Sequence, residues 1–288
     1  MRRRTILITA ADSTYFPLLH DLLRSVRDTP EGNILPLGVL DCGLTAAEAE
    51  TCREMRTVVV EAGWDVPLAN RAPVTPAFRA MTARPFLRNY FPGYSLYIWL
   101  DADTWVQDAL ALRQLADAAD HGDIALVPEM HRSYRNFREG REEFEQVNGQ
   151  AYADAFGSDT AARLIRYPLC NAGVFCMRAD SPAWDIWAET LAEAAQRSIN
   201  MIDQVALNVA IYDRCVREVR LPPTVNWIAH LAGPAWHIEK SALVEPDPPF
   251  ETIGIVHLTL GTKWEAERTL PVVAGSSTRM RRSLRYGG

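Results

Sequence analysis

Residues Leu96–Asp103 read LYIWLDAD, an apolar run that stops on two aspartates with a single residue between them. A short unbroken run of bulky and aromatic side chains reads as a buried strand. In an open α/β sheet, ligands collect in the crevice outside the carboxyl ends of the strands. If the chain stays extended past Leu100, Asp101 and Asp103 point the same way. Two convergent carboxylates repel each other unless a cation lies between them, and hard oxygen donors suit Mg²⁺ or Mn²⁺. The competing reading is a solvated acidic turn, with Asp103 and Thr104 capping the next helix.

Strand-like and helix-like stretches alternate on either side of this run. Residues 6–10 read as a strand, and Asp12 and Ser13 offer N-caps for a helix reaching Arg27, whose apolar positions follow helical spacing. Strands are expected at 34–40, 57–60, 124–127, 172–177 and 252–257, and helices at 45–55, 108–119, 181–197 and 201–212. Residues 66–76 look irregular and lead into a helical segment ending near Arg88. Residues 129–168 are polar, charged and aromatic, and read as helices or a mobile lid facing substrate. The alternation implies one α/β domain with a mostly parallel mixed sheet flanked by helices, over residues 1–270, followed by a basic tail at 271–288.

The net charge of −6 argues against nucleic acid as a partner. Basic residues do gather at the ends, Arg2, Arg3 and Arg4 and then Arg279, Arg281, Arg282 and Arg285. If the second cluster is helical, Met280 and Leu284 share one face, and peripheral contact with an anionic membrane surface is an expectation. The five cysteines form no CxxC pair, which fits a reduced, cytoplasmic setting, with the basic tail touching the inner face of the membrane. The apolar stretch after the first arginines ends at Asp12, too soon for a signal peptide, and no segment approaches the ~18 apolar residues of a membrane span.

Downstream, His257 closes the last expected strand, and Gly261, Thr262 and Lys263 follow. Imidazole is a metal ligand, and a lysine at a strand end is a natural partner for phosphate oxygens. Lysine is rare here; Lys240 is the only other one. Asp203 opens a helix, where a carboxylate is favoured by the helix dipole, but an Asp203-Gln204 pair is unusual on an otherwise apolar helix. Trp227, His230 and Trp236 fall in a proline-rich stretch and either stack on a ligand or pack against the domain.

Taken in order, these segments resemble the glycosyltransferase family 8 group, which transfers sugars from UDP-sugars on the GT-A, Rossmann-like fold. The resemblance spans roughly Ile6 to Trp264 and rests on ITAADSTYFPLL, DCGLTAAEAE, Arg84 ahead of WLDAD, NAGVF, DQVALN, LPPTVNW and the closing His257–Trp264. It implies a metal-dependent hexosyltransferase that retains the anomeric configuration. Asp101, Asp103 and His257 would hold Mn²⁺ (or Mg²⁺), with Lys263 on the diphosphate. Ala10, Asp12 and Tyr15 would line the uridine site, and Arg84 and Asn171 would surround the donor sugar. Asp203 and Gln204 would face the reacting carbon, and the acceptor would be a saccharide or other hydroxyl compound. The family pattern has glycine three residues after the histidine and proline between the lysine and tryptophan; here Gly261 is displaced by one and Trp264 follows Lys263 directly. A tryptophan in the strand before Asp101 is a further departure. Two other classes compete: a non-catalytic nucleotide-sugar-binding protein on the same fold, and a phosphatase with Asp101 as nucleophile. The phosphatase pattern wants a small hydroxyl residue where Trp105 stands, and a first strand rather than a later one.

Overall fold

A computed structural model of the chain describes residues 4–68, 74–275 and 278–288. In chain order its strands are β1 (Thr5–Ala11), β2 (Leu37–Asp41), β3 (Thr57–Glu61), β4 (Leu96–Leu100), β5 (Thr104–Val106), β6 (Ile124–Pro128) and β7 (Cys170–Arg178). They continue with β8 (Glu218–Arg220), β9 (Trp227–Ile228), β10 (Ala235–His237), β11 (Ala242–Val244), β12 (Ile255–His257), β13 (Arg268–Val273) and β14 (Arg279–Arg282). The main sheet has the order β3-β2-β1-β4-β7-β6-β8, and β7 alone runs against the others.

Both faces of this sheet are covered, which is why its strands read as continuous apolar runs. Side-chain alternation divides each strand between the two faces. Ile6, Ile8, Tyr97 and Trp99 face a core shared with the helices Arg141–Phe156, Ala183–Ala195 and Ile202–Tyr212. Leu7, Leu96, Ile98 and Leu100 face the helices Phe16–Arg27 and Leu110–Ala118. The α/β class, with a mostly parallel sheet flanked by helices, is as expected.

Several local expectations are corrected. Residues Pro30–Ile34 are a short helix, because Thr29 accepts the Gly32 N–H and proline occupies the first turn; the strand starts only at Leu37, and Ile34 is exposed. The chain past Leu100 is not extended: Thr104 N–H donates to Asp101 O at 2.9 Å, closing a turn that leads into β5. Asp103 therefore caps no helix. The strand bearing His257 is neither the last nor part of the main sheet; β12 lies between β5 and β9 in a small sheet of its own.

The basic C-terminal segment is strand rather than helix, since β14 pairs with β13, whose first residues precede position 271. Leu284 is buried, and its carbonyl accepts the Trp105 indole N–H at 2.8 Å. Arg281 pairs with Glu267, Arg285 pairs with Asp21, and Arg282 lies over the Trp236 ring. Arg2 and Arg3 lie outside the described residues. No described helix is long and apolar enough to cross a membrane.

Candidate active site

Neighbouring strands β1 and β4 carry the chain away in opposite directions across the sheet, so their carboxyl ends form a topological switch point. Asp12 follows β1 there, and Asp101 and Asp103 follow β4. Asp101 continues the alternation of Tyr97 and Trp99, while the 101–104 turn swings Asp103 around to the same place. His257 arrives through the β5–β12 ladder, in which it lies opposite Thr104. Its Nε2 is 3.2 Å from Asp103 Oδ1 and 4.0 Å from Asp101 Oδ2. One ligand atom from each residue lies within 4.8 Å of the others, the one such group among the described residues.

The donor set fits a divalent ion on three counts. An octahedral ion with bonds of ~2.1 Å sets its ligand atoms ~3.0 Å apart when adjacent and ~4.2 Å apart when opposite, close to the spacings seen. Nδ1 of His257 is 2.9 Å from Asn226 Oδ1, which only accepts, so Nδ1 carries a proton and Nε2, facing the carboxylates, is the ring nitrogen that a metal ion would take in exchange for its proton. Gly173 keeps the centre open: a Cβ there would meet His257 Cε1 at 2.5 Å, Asp101 Oδ2 at 2.7 Å and Asn171 Oδ1 at 2.9 Å. The Asn226 amide is itself held, donating to Asn171 Oδ1 at 3.0 Å, and Asn171 donates to Glu129 Oε1 at 2.8 Å.

Repulsion between the two aspartates is offset by cations the chain supplies itself, which the sequence reading did not foresee. Lys263 Nζ lies 2.7 Å from Asp103 Oδ2 and 3.1 Å from the Tyr15 hydroxyl. Burial opposes ionisation of Asp103, but His257 and Lys263 outweigh it and hold the carboxyl down at about 2. Burial likewise disfavours charge on His257 and Lys263, and the pull of Asp103 raises both. Arg84 reaches Asp101 Oδ1 at 2.5 Å, where the Trp99 indole also donates at 2.8 Å, so Oδ2 is left to face His257. The unusual tryptophan thus has a purpose: it donates to Asp101 and lies under the Arg84 guanidinium, 5.3 Å from ring centre to carbon.

The other arm of Arg84 is ion-paired with Asp203. Asp203 does sit in the first turn of its helix, as the bland reading had it, but it is 2% exposed and tied to the site through Arg84. Gln204 accepts from Ala172 N–H at 3.1 Å and its amide donates to Glu129 at 3.3 Å.

Two cavities meet at these residues. The smaller, about 300 Å³, is lined by Ala10, Asp12, Tyr15 and Phe78; the larger, about 410 Å³, by Glu129, Asn171, Gln204 and His230. Arg84, Asp101, Asp103 and Lys263 belong to both walls, so the two aspartates stand on the seam, with His257 on the side of the larger cavity. Asp203 lines neither. The helix Arg141–Phe156, within the stretch expected to face substrate, supplies Glu143, Phe144, Val147 and Asn148 to the larger cavity.

Sequence reasoning missed Glu129 and Asn226. Glu129 immediately follows β6, the same strand-end signal that marks Asp101. Burial pushes its carboxyl up despite the nearby amides and His257. Of the aromatic trio, Trp227 is core, donating to Ala232 O; Trp236 packs under Arg282; and His230 alone lines the cavity. Gly261 has open space around it, whereas Leu260, three residues after His257, holds the left-handed conformation at φ 51°. As for the phosphatase alternative, Asp101 follows the fourth strand, in the middle of the sheet.

No protein-family model matches this chain, and no curated protein sequence matches it. Solved structures do. The apo bifunctional glycosyltransferase WbbM aligns with a TM-score of 0.60 at 13% identity, over 90% of this chain and 46% of that one, so the chain spans about half of that protein's length. The galactosyltransferase LgtC, solved with donor and acceptor sugar analogues, aligns at 0.53 and 16% identity over 89% and 88% of the two chains. The glycosyltransferase GlyE from Streptococcus pneumoniae TIGR4 aligns at 0.53 and 16% over 91% and 55%. The chain has the GT-A fold these glycosyltransferases share.

Proposed function

We propose that the protein is a metal-dependent glycosyltransferase that moves a hexose from a UDP-sugar to an acceptor hydroxyl, with retention at the anomeric carbon. The observation that carries this reading is the Asp101–Asp103–His257 group where two cavities meet, with the imidazole proton fixed by Asn226. A divalent ion bound there, Mn²⁺ or Mg²⁺, supplies Lewis-acid stabilisation for a diphosphate leaving group.

The smaller cavity takes the nucleoside. Tyr15 offers a ring face whose hydroxyl is steadied by Lys263, and Asp12 accepts the Tyr15 N–H with one carboxylate oxygen, keeping capacity for a base N–H. Lys263 contacts the phosphates, and Arg84, in the wall of both cavities, stands beside the donor sugar. Cleaving the sugar–phosphate bond builds positive character on the sugar and negative charge on the leaving group, and Lys263 meets the latter. Gln204, in the wall of the larger cavity, faces the reacting carbon; Asp203 acts through Arg84, fixing its guanidinium. Asn171 and Glu129 orient the donor sugar and the incoming hydroxyl. Retention rests on the family resemblance.

Incubation with UDP-glucose or UDP-galactose and Mn²⁺ should release UDP. Release should require the metal and disappear in Asp103→Asn. Failure to bind or turn over any UDP-hexose overturns the donor assignment.

A further inference from the structure

The main sheet has two edges, and they are finished differently. At one, β8 is three residues long and begins and ends on a charge, a short strand of the kind that discourages further pairing. At the other, β3 offers the five residues TVVVE, with no lysine, proline or bulge to blunt it. Its ladder to β2 occupies one side of the strand, and the N–H and C=O groups on the other side have no partner among the described residues.

Apolar surface lies along the same edge. Val58 is 55% exposed, and Ile34 and Trp64, at 81% and 51%, flank the two ends of the strand. Ile34 belongs to the first end because the Arg27 guanidinium binds the Met55 and Arg56 carbonyls as well as that of Leu35. Trp64 is three residues past the second end. Charge is divided in the same way. Among the described residues, Arg27 and Arg56 touch backbone and amide oxygens but no carboxylate. At the far end the Glu61 side chain is 85% exposed, with Arg79 3.7 Å away. An edge that starts basic and aliphatic and finishes acidic and aromatic is complementary to itself run backwards.

We propose that β3 pairs antiparallel with β3 of a second copy of this chain, joining the two main sheets across a two-fold axis near Val59. Val58 then stands opposite the partner's Val60 on one face, and the free backbone groups of both edges bond to each other. The partner's Glu61 comes within reach of Arg56, and the partner's Trp64 comes beside Ile34. Because the partner's strands run the opposite way, its crevice opens at the opposite end of the joined sheet, and neither site is covered.

Sedimentation velocity of the full chain from about 1 to 100 µM reads the association. The wild type should shift with concentration from the chain mass to twice that mass. Val58→Lys puts a charge on the open edge and should weaken dimerisation at least about tenfold while leaving the far-ultraviolet circular dichroism unchanged. Arg56→Glu sets like charges opposite each other twice, once on each side of the axis, and should weaken it roughly three- to tenfold, as should Glu61→Arg. Combining the two exchanges the charges and should recover most of the wild-type association. A wild type that stays monomeric, a dimer that survives Val58→Lys, or a charge-exchanged protein no better than the single variants would each overturn the proposal. If Val58→Lys does not fold, the charge variants decide the matter alone.

Discussion

Replacing Gly173 by alanine tests the metal site through a single methyl group. A Cβ at this position falls short of ordinary contact by about 0.5–0.9 Å against Asn171, Asp101 and His257 together. The backbone cannot retreat, because Gly173 O accepts the Asp101 N–H at 2.8 Å and Val174 is paired with Leu100 in the sheet. The three side chains must therefore move, which as overpacking costs about 1–3 kcal/mol. Metal ligands tolerate only ~0.2 Å of displacement, so the same movement should weaken Mn²⁺ binding at least a hundredfold, beyond the ~10–100-fold typical of outer-shell changes. Gly261→Ala is the control: its Cβ meets nothing within 4 Å, and both readings should stay put. Calorimetric Mn²⁺ titration with UDP present gives the affinity, and urea unfolding without metal gives the stability. If Gly173→Ala binds Mn²⁺ within about threefold of wild type, Asp101 and His257 do not share one ion.

Leu260→Gly should raise stability by about 0.5–1 kcal/mol in urea unfolding, since relieving a left-handed leucine (~1–2 kcal/mol) exceeds the entropy cost of glycine (~0.5–1 kcal/mol) and the side chain is largely exposed. A loss of stability would show that the leucine side chain contributes more than its backbone costs. Arg84→Gln leaves the buried Asp203 without its cation and should cost about 3–5 kcal/mol; adding Asp203→Asn should recover part of that loss. Burial, then the positive charges of Arg135, His257 and Lys263, depress His230 from 6.5 to about 4. The unfolded chain takes up a proton there first, so this histidine removes stability as pH falls from 6.5 toward 4. His230→Gln should flatten that part of the pH–stability curve, and an unchanged slope would contradict the assignment.

Positions at the ends of strong strands were legible in the sequence. Asp101 and Asp103 close an apolar run, and Arg84 and Asn171 came from ordered motifs; the structure brings all four to one place with His257 and Lys263. Asn226 was not legible, because it sits in a proline-rich connection without periodicity and acts through its contacts with His257 and Asn171. The sheet that carries His257 was hidden for a related reason. β12 and β5 are three residues each, and their pairing depends on partners far away in sequence rather than on local pattern. The helix at Pro30–Ile34 did carry its signal, a threonine followed by proline, which the apolar Ile34-Leu35 obscured. β14 carries almost no apolar signal, its RMRR alternating between exposed and half-buried positions.

The contacts that finish the site are also the most distant along the chain. Trp105, two residues beyond Asp103, is tied to Leu284 across 179 positions, Lys263 meets Tyr15 across 248, and Arg285 meets Asp21 across 264. Closing loops of that size is slow, so such contacts form after the local ones. During synthesis β1 to β7 can pair while His257 and Lys263 have yet to emerge, and the nascent chain then carries a crevice with two aspartates and neither of these partners. Under the proposed function, the capacity to hold a metal ion and donor is therefore acquired in a late step of folding, when the small sheet and the C-terminal hairpin dock onto a body that is already built.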